Sequence, residues 1–385
     1  MTKYTTVFAS LLRYFSRSDF EAAVSAHNGD FKVRTFTCFD LFKSLLYGLI
    51  SGCFSVREIE ISMLVNSNRL YHCGIKQVRK STFCDALENR PHEVFQYVFH
   101  KLVEKAQCIA GRKQVKFTNP LRIIDASIIS LSLSLFNWAK YRKSKGAVKL
   151  HLNLDGDNLI PFDACLTNGK VGDSKVMQSL TQESGVIYAL DRGYVDYKSL
   201  YCIDLQGSFF VTRMKRNSAF KRTKVNPRSK DSPILSDVLI ELTSPATKKH
   251  YPKELRKVKY RDCETGKIYE FLTNDMTRPA IEIALIYKER WEVELFFKWI
   301  KQHLKIKSFW GTSENAVYSQ IWVALILTIL LWIAKTQEGI EIKPYKLLIM
   351  MKAALLTKNS LIGLCTNTLP LKPDDRFSQP LLESF

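Results

Sequence analysis

Four polar residues in the C-terminal part of the chain recur at the spacing of one helix face. Tyr287, Arg290, Glu294 and Lys301 stand three, four and seven residues apart in a segment that is otherwise largely apolar. At about 100° per residue, a helix places all four within a stripe of about 60°. An acid between cations on a buried helix needs a partner or a ligand. Either Arg290 pairs with Glu294 one turn away, or the stripe faces a ligand.

Two further acids follow apolar runs that are typical of buried strands. Asp125 comes directly after the run at residues 121–124, and Asp191 comes after the run at residues 186–190. A carboxylate at the carboxyl end of a buried strand commonly lines the functional crevice of an open α/β sheet. The alternative is that both acids end their strands as caps, or that Asp191 caps a helix that begins near Tyr194.

Three carboxylates from two strands and a helix have a defined chemical use. They can hold two divalent ions about 4 Å apart, of which one activates a water or a 3′-hydroxyl and the other stabilises the leaving oxygen of a phosphodiester. Hard oxygen ligands select Mg²⁺ or Mn²⁺ over zinc. Asp125, Asp191 and Glu294 are therefore the predicted catalytic and metal-binding residues. The acids at positions 155, 157 and 163 cluster around a turn, where Asp is common.

These residues need a scaffold, and the apolar pattern predicts one in two parts. Residues 1–116 carry amphipathic helical patterns, which predict an all-α N-terminal domain with helices at residues 4–15, 38–50, 56–64, 81–88 and 93–109. After Thr118, short β-rich runs alternate with helical patterns, which predicts a mixed α/β core. Its strands are expected at residues 121–129, 148–155, 160–166, 186–190 and 208–212, and its helices at residues 174–183 and 197–204. Short turns join the first three strands, which indicates an antiparallel meander that continues into a parallel portion.

The remaining segments supply an insertion and two long helices. Residues 234–273 alternate polar and apolar side chains around a D-C-E-T-G-K turn, which predicts a β-rich insertion. Helical periodicity returns from Ala280 to about Leu304, and a second long helix is expected at residues 316–335. The apolar part of that helix, residues 321–334, falls short of the roughly 20 residues that span a bilayer. We therefore predict a buried helix and no membrane partner.

The composition favours a folded protein with an anionic partner. The 385 residues include 57 Lys and Arg against 37 Asp and Glu, a net charge of +20, and 46% of them are hydrophobic. This balance excludes disordered and collagen-like chains, and it favours nucleic acid over an anionic membrane or a simple solubility effect. The charge is densest at residues 213–230, which hold basic side chains and no acid. This segment is either a phosphate-facing surface or a solvated loop.

The cysteines and the N-terminus indicate a reducing compartment. The nine cysteines are odd in number and never form a C-x-x-C motif, so we expect reduced thiols, no zinc site and a cytoplasmic location. The N-terminus lacks a cleavable signal, because Arg13 interrupts its apolar stretch.

A second cationic feature lies in the N-terminal domain. Arg79 and Lys80 directly precede the helix predicted to begin at Ser81, where the backbone N–H groups of a helix N-terminus attract phosphate. With the preceding helix they could form a helix-turn-helix. The same pattern also occurs in ordinary helical bundles.

Taken together, these motifs resemble the DD-E transposases of bacterial insertion sequences that carry the YREK signature. The match consists of the Tyr-Arg-Glu-Lys set at full spacing, the acid of RIIDAS (Asp125) and the acid of YALDRGY (Asp191). Lys149-Leu150-His151 and Pro161 are similar to the segment between the family's second and third strands. The resemblance spans residues 121–335 and, more loosely, SVREIE and RKSTF in the N-terminal region. It implies a ribonuclease H-like mixed sheet with a β-rich insertion.

The resemblance also implies an activity. Such enzymes nick the ends of their element by hydrolysis, form and reopen a hairpin, and transfer the strand to target DNA. Asp125, Asp191 and Glu294 would bind two Mg²⁺ or Mn²⁺ ions, and Tyr287, Arg290 and Lys301 would contact the DNA backbone. We expect further DNA contacts from six cations: Lys298, Arg213, Lys215, Arg216, Arg79 and Lys80. The implied partners are the terminal inverted repeats, target DNA and a second copy of the chain in the synaptic complex.

One feature departs from the family pattern. Some members place a Trp that receives a flipped base between the positions of Thr273 and Tyr287, and this chain has none there. If a base is flipped, another residue must accept it.

These patterns divide the chain into five segments. They are a helical DNA-binding domain at residues 1–116, a core at 117–213 and 279–360, a β-rich insertion at 214–278 and a C-terminal tail at 361–385. Two alternative functions remain. One is a structure-specific nuclease of the same fold that does not join DNA, and the other is a DNA-binding regulator with an inactive nuclease domain.

Overall fold

The computed structural model describes residues 6–111, 116–142, 145–215, 217–229, 232–304, 306 and 308–367. The chain divides into two compact units. We call Met1–Gly111, Leu131–Ala139 and Lys298–Phe385 the helical unit, and Arg112–Ser130 with Lys140–Phe297 the sheet unit. The helices that follow Phe297 thus group with the N-terminal helices.

The N-terminal part of the helical unit is all-α, as the apolar periodicity predicts. Its helices are α1 (Val7–Leu12), α2 (Arg17–Ala26), α3 (Cys38–Ser51), α4 (Val56–Val65), α5 (Ser67–Leu70), α6 (Lys80–Asn89) and α7 (Glu93–Ala110), with a 3-10 helix at Tyr71–Cys73. The sequence pattern missed α2, whose N-terminus is capped by the Ser16 side chain.

The expected helix-turn-helix takes a different form. Six residues, Gly74 to Arg79, separate the 3-10 helix from α6, and the helical elements just before them are only three and four residues long. Arg79 and Lys80 are exposed at the start of α6, but the Lys80 N–H donates to Glu60 Oε1 at 3.0 Å. Glu60 therefore neutralises part of the positive charge at the N-terminus of α6, which the sequence predicted to attract phosphate.

The sheet unit contains one mixed ten-stranded sheet. Its elements are β1 (Leu121–Leu131), β2 (Lys140–Arg142), β3 (Lys145–Asp155), β4 (Ile160–Asn168), α8 (Asp173–Leu180), β5 (Ile187–Leu190), a 3-10 helix (Arg192–Tyr194), α9 (Tyr197–Leu205), β6 (Phe209–Arg213), β7 (Phe220–Val225), β8 (Ile234–Leu242), α10 (Pro245–His250), β9 (Leu255–Arg261), β10 (Ile268–Thr273), α11 (Ala280–Lys288) and α12 (Trp291–His303). A 3-10 helix at Asn137–Ala139 belongs to the helical unit.

The sheet topology confirms the ribonuclease H-like prediction. Strand β3 pairs with β1, β2 and β4, and β1, β5 and β6 follow one another. The β3–β4 pair is antiparallel, whereas β1–β5 and β5–β6 are parallel. The buried face of this part packs Ile124, Tyr188, Leu190 and Phe210. The apolar runs at residues 121–124 and 186–190 are buried, and such continuous runs are typical of strands inside a parallel sheet. These strands could therefore be recognised from the sequence.

The β-rich insertion extends the same sheet. Strands β10, β9, β8 and β7 follow β6 in that order, and each pair is antiparallel. The predicted D-C-E-T-G-K turn joins β9 to β10, with Gly266 at φ 68° and Asp262 Oδ1 accepting from Thr265 N at 2.7 Å. The Lys221, Arg222 and Lys224 side chains of β7 are exposed at the sheet edge.

The single helix expected from Ala280 to Leu304 is two helices. Between α11 and α12 the Arg290 N–H bonds to Tyr287 O at 3.2 Å and the Glu292 N–H to Glu289 O at 3.0 Å. These are the tighter three-residue bonds of a 3-10 turn, which periodicity alone does not distinguish from an α-helix.

The C-terminal helices of the helical unit are α13 (Glu314–Glu338), α14 (Pro344–Ala354) and α15 (Leu361–Asn367). Helix α13 begins at a Ser313 cap and ends at Gly339, which has a φ of 64°. Its 25 residues are long and apolar enough to cross a membrane, so the length argument from the sequence was wrong. The prediction of a buried helix is nonetheless confirmed, since 94% of its most apolar window is buried inside the protein.

Candidate active site

Neighbouring parallel strands bring Asp125 and Asp191 together. Ile124 of β1 pairs with Leu190 of β5, and each acid is the next residue of its chain. Strand β1 continues to Leu131, so Asp125 lies within the strand and does not cap its end. The Asp125 side chain is 16% exposed, and its Oδ1 accepts from the Ala126 N–H at 2.7 Å.

Asp191 also caps a helix, as one of the sequence alternatives proposed. Its Oδ2 accepts from the Gly193 N–H at 3.0 Å, at the start of the short 3-10 helix Arg192–Tyr194. The bond fixes the rotamer of the side chain relative to the turn. Capping and a place at the carboxyl end of β5 are therefore compatible roles for this acid.

Arg290 bridges two of the three predicted catalytic acids. Its Nη1 donates to Asp125 Oδ2 at 2.6 Å, and its Nη2 donates to Glu294 Oε1 at 2.7 Å. The Arg290–Glu294 pair is the intrahelical alternative raised by the sequence, and the Asp125 contact adds a partner from β1. The planar guanidinium suits this double contact because its N–H groups diverge at fixed angles.

The three acids act on one another electrostatically. Burial raises the pKa of Asp125 to about 6 against the opposing charge of Arg290, and the negative charges of Asp191 and Glu294 raise it further. Burial alone would lower the pKa of Arg290, but Asp125, Tyr287 and Glu294 raise it above its ordinary range. The site therefore holds a permanently charged guanidinium among carboxylates that repel one another.

The chemical type of Asp125, Asp191 and Glu294 suits a hard divalent cation, because carboxylate oxygens are the ligands that Mg²⁺ and Mn²⁺ prefer. Among the residues that the structure describes, no three His, Cys, Asp or Glu side chains stand in a metal-ligating arrangement. In this state Arg290 supplies the positive charge that Asp125 and Glu294 require. Burial is the main cause of the raised pKa of Asp125, and the charge of Arg290 is the largest influence that opposes it.

Tyr287 packs beside the acids from α11. Its ring is buried, with the Phe271 ring centroid 4.9 Å away and the Arg290 guanidinium 5.5 Å from its own centroid. Burial raises the pKa of Tyr287. The positive charges of Arg290 and Arg213 lower this pKa, and the negative charge of Asp191 raises it. These influences place Tyr287 and Arg213 in the same electrostatic environment as the carboxylates.

The other predicted DNA contacts belong to both units. Lys215 donates from Nζ to Val195 O at 2.6 Å, so part of its hydrogen-bonding capacity is used internally. Lys298 is exposed on α12, and Lys301 follows Glu294 by seven residues on the same helix. Both lysines belong to the helical unit, as do Arg79 and Lys80. Arg216 lies outside the described residues.

The sequence analysis missed one acid and gave no role to two residues of β3. Asp173, the first residue of α8, accepts from Lys149 Nζ at 2.9 Å, and His151 Nδ1 lies 2.8 Å from Tyr194 OH. The apolar pattern contained no signal for Asp173, which follows a turn-rich segment. The K-L-H motif at residues 149–151 was the available signal, since it places two polar side chains on one face of a buried strand.

Comparisons with known proteins agree with this architecture. A model of the transposase DDE domain matches residues 116–330, and a model of a domain of unknown function, DUF4372, matches residues 3–76. Transposase y4zB of Sinorhizobium fredii is 35% identical over 254 residues, which are 65% of this chain and 70% of that protein. The transposase for insertion sequence element IS5377 of Geobacillus stearothermophilus is 28% identical, over 86% of this chain and 85% of its own length.

Two more distant similarities complete the comparison. The transposase for insertion sequence element IS4SA of Synechocystis is 26% identical over 82% of this chain and 88% of its own length. The solved synaptic complex of the piggyBac transposase with hairpin DNA covers 98% of this chain and 89% of that chain, at 12% identity and a TM-score of 0.47.

Proposed function

Since this chain belongs to the DDE transposases of bacterial insertion sequences, we propose that it cuts and joins DNA at Asp125, Asp191 and Glu294. The observation that carries this assignment is the Arg290 bridge. This buried cation joins Asp125 of β1 to Glu294 of α12, and Asp191, which directly follows the neighbouring strand β5, acts on the pKa of Asp125.

Divalent metal ions are the proposed cofactors. Asp125, Asp191 and Glu294 would hold Mg²⁺ or Mn²⁺, most simply as two ions. When bound, the metal would polarise a phosphodiester and activate a water or 3′-hydroxyl. The chain's own contribution is to gather three carboxylates that repel one another, so that a cation gains free energy by entering.

The cations near the acids would hold the DNA. Arg290 is suited to a bidentate contact with a phosphate, because its planar guanidinium presents a fork of N–H donors. In making that contact it would exchange the carboxylates of Asp125 and Glu294, which now accept from its two outer nitrogens, for the phosphate. Tyr287 and Lys301 are proposed to contact the cleaved end with it. The remaining proposed contacts are Lys298, Arg213, Lys215, Arg216, Arg79 and Lys80.

The proposed reaction is cut-and-paste transposition. The chain would bind the terminal inverted repeats of its element, nick them, form and reopen a hairpin, and transfer the ends to target DNA. Two copies of the chain would hold the two ends in a synaptic complex in the bacterial cytoplasm. The helical N-terminal segment, residues 1–116, would contribute DNA binding, and the core would comprise residues 117–213 and 279–360.

Single-acid variants test the site. Asp125→Asn, Asp191→Asn and Glu294→Gln should each abolish Mg²⁺-dependent cleavage of duplexes that carry the element's ends while leaving the protein folded. Glu292→Gln is the matched control, because it removes a carboxylate from the same helix two residues from Glu294. If Asp125→Asn cleaves in Mg²⁺ at the rate of the unmodified protein, the assignment of Asp125 as a catalytic residue is wrong.

A strand-transfer assay separates the alternatives. Joining of cut ends to a plasmid supports a transposase, cutting without joining supports a structure-specific nuclease, and binding without either supports an inactive regulator. The flanking DNA of the gene supplies the substrate, because an insertion sequence is bracketed by inverted repeats with a short direct duplication outside them.

A further inference from the structure

The turn that carries Asp191 is held at its far end by a buried polar contact with β3. The turn is the 3-10 helix Arg192–Tyr194, whose last residue is 1% exposed. Tyr194 OH lies 2.8 Å from His151 Nδ1, and His151 Nε2 lies 2.9 Å from Thr167 Oγ1 of β4. The His151 ring is fully buried, so both of its nitrogens depend on these partners.

A second contact from the same strand holds Asp173, the first residue of α8. Lys149 Nζ donates to Asp173 Oδ1 at 2.9 Å and to Val171 O at 2.8 Å. The Lys149 side chain is only 12% exposed, and that of Asp173 is 27% exposed. Lys149 and His151 are two residues apart in a strand and therefore lie on one face of it.

Gly193 shows how closely Asp173 and the turn fit together. A Cβ atom at Gly193 would lie 2.9 Å from Asp173 Oδ2 and 3.4 Å from Asp191 Oδ2. The space beside Gly193 therefore leaves no room for a side chain next to Asp173. Asp173 adds a fourth negative charge beside the catalytic acids, and Lys149 neutralises it.

We propose that Lys149 and His151 of β3 are positioning residues that set the affinity of the site for divalent metal. His151 holds the turn through Tyr194, and Lys149 fixes Asp173 beside Gly193, so that Asp191 would meet a metal in one orientation. This inference rests on the proposed function, because it requires Asp191 to be a metal ligand. It assigns a role to a lysine, a histidine, a tyrosine and an acid that lie outside the three-carboxylate set.

Outer partners of metal ligands act in this way because they restrict the orientations that a ligand can adopt. Removing such a partner typically costs about 10- to 100-fold in metal affinity or activity. Asp191 caps the turn, and its Oδ2 accepts from the Gly193 N–H at 3.0 Å, so a shift of the turn would move the group that orients this carboxylate. Loosening either contact should therefore weaken metal binding while the fold is retained.

The test measures Mn²⁺ binding to the full-length chain by electron paramagnetic resonance. Tyr194→Phe removes one hydroxyl from the first contact, and Lys149→Met removes the cation from the second. Both should weaken Mn²⁺ binding by at least about 10-fold. Lys149→Arg keeps the charge and should recover most of the affinity. Arg290 is common to all these proteins, so its position between the acids affects them equally.

Tyr197→Phe is the matched control. It removes a buried hydroxyl from the same segment, one that lies 2.9 Å from Ser218 Oγ and does not touch the turn. Its Mn²⁺ affinity should equal that of the unmodified protein. Raising the Mn²⁺ concentration should also restore DNA cleavage by Tyr194→Phe, whereas a loss of structure would not respond to metal.

The outcomes distinguish a failure of the positioning role from a failure of the proposed function. The unmodified protein is expected to bind Mn²⁺. If the Tyr194→Phe and Lys149→Met variants bind it equally well, the positioning role is overturned and the proposed function is left intact. Unmodified protein that binds no Mn²⁺ at millimolar concentration, with or without duplex DNA, would contradict the proposed function itself. Should Tyr194→Phe fail to fold, Thr167→Val tests the same contact from its outer end.

Discussion

Arg290 and Asp125, 165 positions apart in the chain, form an ion pair with 2.6 Å between Nη1 and Oδ2. The pair joins the start of α12 to β1 and accounts for most of the charge compensation at the predicted catalytic centre. Because the same guanidinium reaches Glu294, this one side chain determines both the electrostatics of the free protein and the arrangement of two acids.

The first prediction concerns stability. Arg290→Met should lower the free energy of unfolding by about 3 kcal/mol, because it leaves a buried Asp125 carboxylate without its partner. Urea unfolding at pH 7.5 measures the change. Arg17→Met removes an arginine from an i,i+4 pair whose side chains are 54% and 62% exposed, and should cost less than about 1 kcal/mol. Equal losses in the two variants would contradict the structural role of the Arg290 bridge.

The second prediction concerns DNA binding. Arg290→Ala should weaken binding to duplexes that carry the element's ends and reduce the slope of log K against log salt by about 1, because one phosphate contact is lost. Fluorescence anisotropy between 50 and 300 mM salt, taken as roughly the range over which such contacts are resolved, provides the measurement. Unchanged binding at every salt concentration would refute a phosphate contact by Arg290.

The third prediction concerns pH. Burial lowers the pKa of His151 to about 4, with Asp173 raising it and Lys149 lowering it to smaller extents. Between pH 6.5 and 4, His151 therefore binds a proton in the unfolded chain but not in the folded chain. The contribution of His151 to the free energy of unfolding is fully present above pH 6.5 and is lost as the pH drops toward 4. The loss from this residue amounts to about 3 kcal/mol.

Comparison with a variant isolates this effect. His151→Gln keeps hydrogen-bonding groups but cannot be protonated, so its free energy of unfolding should depend less steeply on pH between 4 and 6.5. Urea unfolding of both proteins at four pH values in this range is the measurement. Parallel pH profiles for the two proteins would show that His151 does not stay neutral in the fold.

The fourth prediction concerns the turn after β5. Gly193→Ala should reduce end cleavage by at least about 10-fold, because the new methyl group would sit 2.9 Å from Asp173 Oδ2 and displace either that carboxylate or the turn. Gly172→Ala is the control, since a Cβ at that glycine meets no atom within 4 Å. Cleavage rates on the same duplex compare the two variants, and a Gly193→Ala protein as active as Gly172→Ala would refute the close fit.

Much of the fold follows from local patterns in the sequence. Strands β1, β3, β4, β5 and β6 and helices α3, α4, α6 and α7 were predicted within a few residues, because each presents one face or a whole run to a hydrophobic interior. The short strand β2 was not predicted. The break between α11 and α12 was not predicted, because a 3-10 turn and an α-helix have nearly the same periodicity over two or three residues. Helix α2 was missed because few of its residues are buried.

The candidate site divides in the same way. The sequence by itself determined the identity of the three acids and the helical spacing of the Tyr-Arg-Glu-Lys set, since both depend on residue type and on neighbours a few positions away. Only the tertiary structure decided that Arg290 reaches Asp125, that Asp173 touches Gly193, and that His151 supports Tyr194. Partners 20 to 165 residues apart leave no periodic trace in the chain, because parallel pairing of β1 with β5 and the return of α12 bring them together only after folding.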